Sequence, residues 1–177
     1  MSPLARAARL RLMAFDVDGV LTDGRLYFGA DGEAMKAFHV RDGQGIKLLQ
    51  AAGIEVALLT ARTSPIVARR AQELGIARVW QGQADKWSGL LALCAAVGCA
   101  AQDCGYMGDD WPDLPVLTRV GFAAAVADAV PEVKAVAHWV SSCAGGCGAA
   151  RELAEFVLRA QGRFETLLSQ YRDGAHA

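Results

Sequence analysis

The sequence predicts an α/β fold in which a parallel sheet lies between two layers of helices, and three observations carry that expectation. Short apolar runs, of the kind that fill strands buried on both faces, alternate with helix-length stretches. Helix boundaries are punctuated, with Ser64-Pro65 at one start and Gly53, Gly75 and Gly98 at three stops. Finally, the predicted strands run out into polar or charged groups at Asp16/Asp18, at Thr60, in residues 81–86, and at Asp109/Asp110/Asp113. In a parallel sheet such ends share one edge, where open α/β folds bind ligands.

The first run, Leu10, Leu12, Met13, Ala14 and Phe15, reads as a buried strand, reached directly from the arginine-punctuated leader at residues 4–9. It enters Asp16-Val17-Asp18-Gly19-Val20-Leu21-Thr22-Asp23-Gly24. A buried strand does not hold two unpaired anions, so the chain is expected to turn out at Asp16, with Gly19 serving the tight backbone that follows. Residues 24–40 place apolar runs on either side of Gly29-Ala30-Asp31-Gly32. That pattern predicts an inserted β-hairpin, with a loop longer than two residues, projecting over the acidic turn. Two strands alone are marginal in water. Leu26, Phe28, Met35 and Phe38 therefore call for another surface, either their own domain or a neighbouring subunit.

Strands and helices then alternate. Asp42 is expected to cap a helix carrying Ile46, Leu48 and Leu49, and residues 54–59 form a strand ending at Thr60. Ser64 and Pro65 open a helix running to Leu74. Residues 76–81 make a short strand, 86–97 a helix, and 104–107 a strand that closes on Gly108-Asp109-Asp110. A short helix over 112–118, a strand over 120–126, a helical segment over 131–138 and a last strand over 138–141 follow. Residues 149–161 have the periodicity of an amphipathic helix, with Leu153, Phe156, Val157 and Ala160 on one face.

Composition bounds the function. At 177 residues, 53% hydrophobic and 21% charged, the chain has the length for one domain with a real core. A net charge of -1 gives no general attraction to nucleic acid or to an anionic membrane surface. No apolar run is long enough to span a bilayer. The five cysteines show no zinc-binding spacing, and an odd count without a secretion signal points to a reducing, cytoplasmic setting.

The groups expected on the shared edge are chemically complementary. Carboxylates from the first and fourth positions suit a hard divalent cation, Mg²⁺. The Thr60 hydroxyl, the Lys86 ammonium and backbone N–H groups after Asp16 suit the oxygens of a phosphoryl group. A carboxylate nucleophile, an aspartyl-phosphate and its hydrolysis by water follow as the expected chemistry. His39 and His138 lack metal or triad spacing and are expected to be structural.

The set Asp16-Val17-Asp18-Gly19-Val20-Leu21-Thr22, Leu58-Leu59-Thr60, Lys86 and Gly108-Asp109-Asp110 with Asp113 resembles the haloacid dehalogenase superfamily of phosphohydrolases. That resemblance implies a Rossmann-like three-layer sheet, Asp16 as nucleophile and Asp18 as general acid/base. It also implies Mg²⁺ held by the carboxylates of Asp16 and Asp109 and the backbone carbonyl of Asp18. Thr60 and Lys86 would hold the transferring phosphoryl. Of Asp110 and Asp113, one would support the cation or orient Lys86 and the other cap the helix after Pro112.

A narrower likeness extends over nearly the whole chain. The hairpin, Phe38-His39-Val40-Arg41-Asp42-Gly43-Gln44-Gly45-Ile46, Gln81-Gly82-Gln83-Ala84-Asp85-Lys86, Val126-Ala127-Asp128-Ala129 and Gly145-Gly146-Cys147-Gly148-Ala149-Ala150-Arg151-Glu152 are similar to the 3-deoxy-D-manno-octulosonate 8-phosphate phosphatases. The resemblance implies one catalytic domain over 1–177 with no cap domain and a C-terminal helix and tail from about 145. It also implies a homotetramer built through the hairpins, and a sugar acid phosphate substrate in lipopolysaccharide precursor synthesis. Arg62 is the first candidate for the sugar carboxylate and favours the eight-carbon acid, followed by Arg41 and Arg70. Cys147 stands where the family has arginine, and the glycine-rich loop around it is expected to be a flexible tail. The competing readings are a phosphatase for a nine-carbon sugar acid phosphate, a non-catalytic tetramerising module, and a receiver-like domain holding phosphate on Asp16. A positioned acid/base at Asp18 argues against the last, because it shortens the life of an acyl phosphate.

Overall fold

Strand β1 (Leu12–Phe15) lies at the centre of a six-stranded parallel sheet, in a computed structural model that describes residues 1–174. β4 (Glu55–Leu59) and β5 (Arg78–Trp80) extend the sheet on one side; β6 (Cys104–Gly108), β7 (Phe122–Ala125) and β8 (Trp139–Val140) extend it on the other. Every residue of β1, β6 and β7 is buried, which explains why these strands read as unbroken apolar runs. Phe15 is in register with Leu58 on β4 and with Met107 on β6. The next residues, Asp16, Leu59 and Gly108, therefore stand at one level on the carboxyl edge of the sheet. Chain direction across the sheet reverses at β1 and β6, the switch point where doubly wound sheets bind ligands.

Helices α2 (Val40–Ala51), α3 (Pro65–Glu73), α7 (Ala149–Ala160) and α8 (Phe164–Arg172), with the short α1 (Pro3–Ala7), form one layer. Opposite them lie α4 (Lys86–Val97), α5 (Leu114–Leu117) and α6 (Pro131–Val136). This is the expected three-layer architecture. Between β1 and α2 the only inserted element is an antiparallel hairpin, β2 (Tyr27–Gly29) and β3 (Gly32–Met35).

Several local expectations are corrected. The leader does not run straight into β1, because Ser2 and Pro3 start α1; there Arg6 donates to the Gly121 carbonyl at 2.8 Å and Ala7 is fully buried. The hairpin loop is the two residues Ala30 and Asp31, since the ladder reaches the Gly29–Gly32 pair, with Gly32 at φ +114°. α2 starts earlier than expected and is capped by His39, whose Nδ1 accepts from the Arg41 N–H at 3.2 Å. Asp42 instead caps a different helix. Buried against the start of α7, it accepts from Gly148 N–H (3.2 Å) and Arg151 N–H (2.9 Å), where α7 has no side-chain cap of its own. The chain also continues into α8 beyond the expected end of the last helix.

The glycine-rich loop before α7 is no loose tail. Gly146 donates to the Val20 carbonyl at 2.9 Å, and a Cβ on it would come within 2.6 Å of Thr22 backbone. Only a glycine fits so close an approach to the loop that follows Asp18. His39 and His138 take structural hydrogen bonds as expected, His39 as the helix cap just described and His138 accepting the Ala123 N–H at 2.8 Å on its Nδ1.

Candidate active site

The loop that follows β1 folds over itself immediately. The Asp16 Oδ1 accepts the N–H of Val17 at 2.7 Å, and the hydroxyl of Thr22 accepts from the N–H of Gly24 at 3.2 Å. Gly19, at φ +88°, lies against Asp109 on the neighbouring strand end, and a Cβ there would stand 2.1 Å from Asp109 Oδ2. This glycine is therefore required both by backbone angle and by the approach of the two acidic segments.

Lys86 joins the segments. It is the first residue of α4, placed by the Asp85 cap whose side chain accepts from Ser88 N–H at 3.1 Å. Its Nζ donates to Asp16 Oδ2 at 2.7 Å and to Asp113 Oδ1 at 2.6 Å, with the lysine side chain only 2% exposed. Asp113 has its remaining acceptor positions filled by the Tyr106 hydroxyl (2.6 Å) and by the N–H groups of Asp109 (2.9 Å) and Asp110 (3.2 Å). Asp113 thus holds Lys86 in place. Asp110 is the helix cap, accepting from Trp111 N–H at 2.8 Å, so the two roles left open by the sequence are divided between the two residues.

Carboxylate oxygens of Asp16, Asp109 and Asp113 all lie within 4.8 Å of one another. Burial, reinforced by the Asp113 charge, lifts the Asp16 carboxyl to about 6 in spite of Lys86. Burial followed by the charges of Asp113 and Asp16 lifts Asp109 to about 8. Lys86 behaves in the opposite way: burial opposes its charge, but Asp16 and Asp113 outweigh burial and hold its pKa above the ordinary value. Fully ionised, three carboxylates facing one ammonium carry an excess of two negative charges in a largely buried space, a crowding that protons relieve when no cation is bound. A divalent oxygen-seeking cation matches both that charge and that donor chemistry.

Asp18 points elsewhere than the triad. Its carboxylate pairs closely with Lys36 and lies 3.7 Å from Arg62 Nε. Lys36 in turn pairs with Glu33 at 2.9 Å, and Glu33 accepts from the Ser64 hydroxyl at the start of α3. The hairpin base is thereby fastened over the carboxyl edge by a polar chain. Sequence reasoning missed Lys36 and Glu33. The available signal was a lysine and a glutamate, three residues apart, in a hairpin read only for its apolar positions.

Thr60, 2% exposed, follows β4 at the same edge. Of the three candidate arginines, Arg62 stands at this edge. Arg41 is exposed on the first turn of α2, and Arg70 is engaged by Glu73 at 3.4 Å and by the ring of Phe38. Neither contacts the carboxylate cluster.

Residues 71–153 match a family described as haloacid dehalogenase-like hydrolase. The 3-deoxy-D-manno-octulosonate 8-phosphate phosphatase KdsC of Yersinia pestis is 44% identical over 162 residues, covering 92% of this chain and 87% of that protein. A crystal structure of a probable YrbI family phosphatase from Pseudomonas syringae pv. phaseolica superposes with a TM-score of 0.93 at 47% identity, covering 96% of each chain. A crystal structure of 3-deoxy-D-manno-octulosonate 8-phosphate phosphatase from Moraxella catarrhalis, in complex with magnesium ion, phosphate ion and KDO, also superposes at 0.93. It is 38% identical, over 96% of this chain and 97% of that one.

Proposed function

Because this chain belongs to the 3-deoxy-D-manno-octulosonate 8-phosphate phosphatases, within the haloacid dehalogenase-like hydrolases, we propose that it hydrolyses that phosphate monoester to the free sugar acid and inorganic phosphate. The observation that carries this is the joining of Asp16, Asp109 and Asp113 around the single ammonium of Lys86 at one sheet edge.

Asp16 acts as nucleophile. A carboxylate oxygen attacks phosphorus, the bond from phosphorus to the sugar oxygen breaks, and Asp18 gives its proton to the departing oxygen. Asp18 then takes a proton from water as that water attacks the phosphorus of the acyl phosphate, which returns Asp16 as a carboxylate and releases phosphate. Lys86 steadies the attacking carboxylate and faces the phosphoryl oxygens, with the Thr60 hydroxyl as a further donor. The carboxylates of Asp16 and Asp109, with the Asp18 carbonyl, would hold Mg²⁺, which when bound neutralises charge between nucleophile and phosphate dianion. Asp113 fixes Lys86, and Asp110 shapes the turn behind it. Arg62, beside Asp18, is the cation best situated for the substrate's carboxylate.

Residues 1–177 act as one catalytic domain that self-associates, as a homotetramer, through the hairpins. Support comes from Leu26, Phe28 and Met35, which are 43%, 65% and 52% exposed on an element otherwise fastened by polar contacts. Phe38, by contrast, packs on its own domain. No described helix is long and apolar enough to cross a membrane, which is compatible with a cytoplasmic site of action. Light scattering should give a mass above the monomer, falling towards it in Phe28→Ser; a wild-type monomer would refute the assembly.

Phosphate release from a panel of sugar phosphates, with and without Mg²⁺, tests the activity. The eight-carbon acid phosphate should be preferred, the nine-carbon one disfavoured, and Asp16→Asn should lower turnover by roughly 10³-fold or more. No preference among esters would remove the substrate assignment, and an active Asp16→Asn would remove the mechanism.

A further inference from the structure

Three thiols meet at the sheet edge opposite the carboxylates. Cys104 opens β6 and is fully buried; its Sγ lies 3.2 Å from Cys94 Sγ and 3.4 Å from Cys99 Sγ. All three sulfurs are within 4.8 Å of one another, and all three cysteines are free. The sequence spacing alone matches no zinc pattern, because the cluster is made by the fold.

A separate backbone device delivers each sulfur. Cys94 sits in the last turn of α4. Gly98, at φ +70°, ends that helix with the paired closing bonds Gly98 N–H to Ala95 carbonyl (3.3 Å) and Cys99 N–H to Cys94 carbonyl (3.0 Å), which turn Cys99 back over Cys94. A 3-10 turn at Ala101–Asp103 then feeds the chain into β6 at Cys104.

The spacing fits a metal better than a bridge. With a zinc–sulfur bond of about 2.3 Å, the sulfurs of a tetrahedral site stand about 3.8 Å apart. The spacings of 3.2 and 3.4 Å fall a few tenths of an ångström short of that value and well beyond the roughly 2.05 Å of a disulfide, and the third pair lies within 4.8 Å. A disulfide would use two sulfurs and leave the third unexplained. Arg11 reaches the Gly98 carbonyl at 3.2 Å and brings positive charge beside what would become three thiolates. Cys99 is the partly exposed member, so a solvent ligand has access to a fourth position from that side. Thiolates select soft cations and reject Mg²⁺, so this cluster and the carboxylate site would not compete for one ion.

We propose that Cys94, Cys99 and Cys104 form a three-thiolate site for a thiophilic divalent cation of the zinc class. Binding displaces the three thiol protons and ties the end of α4 to the start of β6. Those two elements carry Lys86 and lead to Asp109 at their opposite ends, so the site braces the frame of the catalytic edge without touching it.

The test uses full-length, reduced, metal-free protein titrated with Cd²⁺ and, separately, Zn²⁺ in excess Mg²⁺. Thiolate-to-cadmium charge-transfer absorbance and metal content after desalting are the readouts. One equivalent should be retained with the absorbance band, and lost in both Cys99→Ser and Cys94→Ala. It should persist in a Cys143→Ser/Cys147→Ser variant, with Mg²⁺-dependent phosphate release reporting that each variant is folded. The proposal is overturned by absence of the band, by its survival in both cluster variants, or by its loss in the Cys143/Cys147 variant. Formation of a disulfide without metal uptake would overturn it as well.

Discussion

At the residue scale the dominant fact is crowding of like charge. Burial and the neighbouring carboxylates push Asp16 up to about 6 and Asp109 up to about 8, from 3.8 for the ordinary group. Between about pH 4 and 8 the metal-free native chain therefore binds more protons than the unfolded chain, and the cluster's contribution to stability falls as pH rises through that window. A cation that displaces those protons reverses the trend. The rise in melting temperature on adding Mg²⁺ should accordingly be larger at pH 8 than at pH 5, as scanning calorimetry would show. An equal or larger rise at pH 5 would contradict the charge count. Asp16, Asp109 and Lys86 were legible as partners because each lies where a predicted strand gives way to a loop or helix. Asp113 was legible only as one of two alternatives, because its bonds to Lys86 and Tyr106 depend on the sheet being assembled.

Elements contribute by carrying groups to one another's ends. Asp42 shows this most plainly, since an acid on α2 satisfies the orphan N–H groups that open α7. From sequence it was assigned to its own helix, because an acid near a helix start is locally sufficient and the distant start at Gly148 offers no signal. Replacing it with Ala should cost about 2 kcal/mol, seen as a melting temperature roughly 4–8 °C lower. An unchanged melting point would mean that water caps α7 equally well. The hairpin followed the same logic. Its existence and exposed apolar tip were readable from the alternation around Gly29-Ala30-Asp31-Gly32, whereas its polar base was not. Lys36 meets Asp18 only after the hairpin folds back over the edge, and Ser64 reaches Glu33 from a different element. The packed glycine loop at Gly145 and Gly146 was misjudged for a similar reason: small residues suggest mobility until the backbone they approach is known.

For the whole molecule, the sheet order β5-β4-β1-β6-β7-β8 turns a linear scatter of polar strand ends into one site. The two central strands end in the acidic segments, β4 brings Thr60, and α4, which follows β5, begins with Lys86 at the same edge. In the proposed reaction that site passes the phosphoryl group through Asp16. Acid-quenched single-turnover reactions of Asp18→Ala with 3-deoxy-D-manno-octulosonate 8-phosphate and Mg²⁺, followed by peptide mass mapping, test it most directly. A peptide carrying one phosphoryl group on Asp16, absent in the Asp16→Asn protein, is the predicted result. Phosphate release by the wild-type enzyme with no such adduct in the variant, together with activity surviving Asp16→Asn, would contradict it.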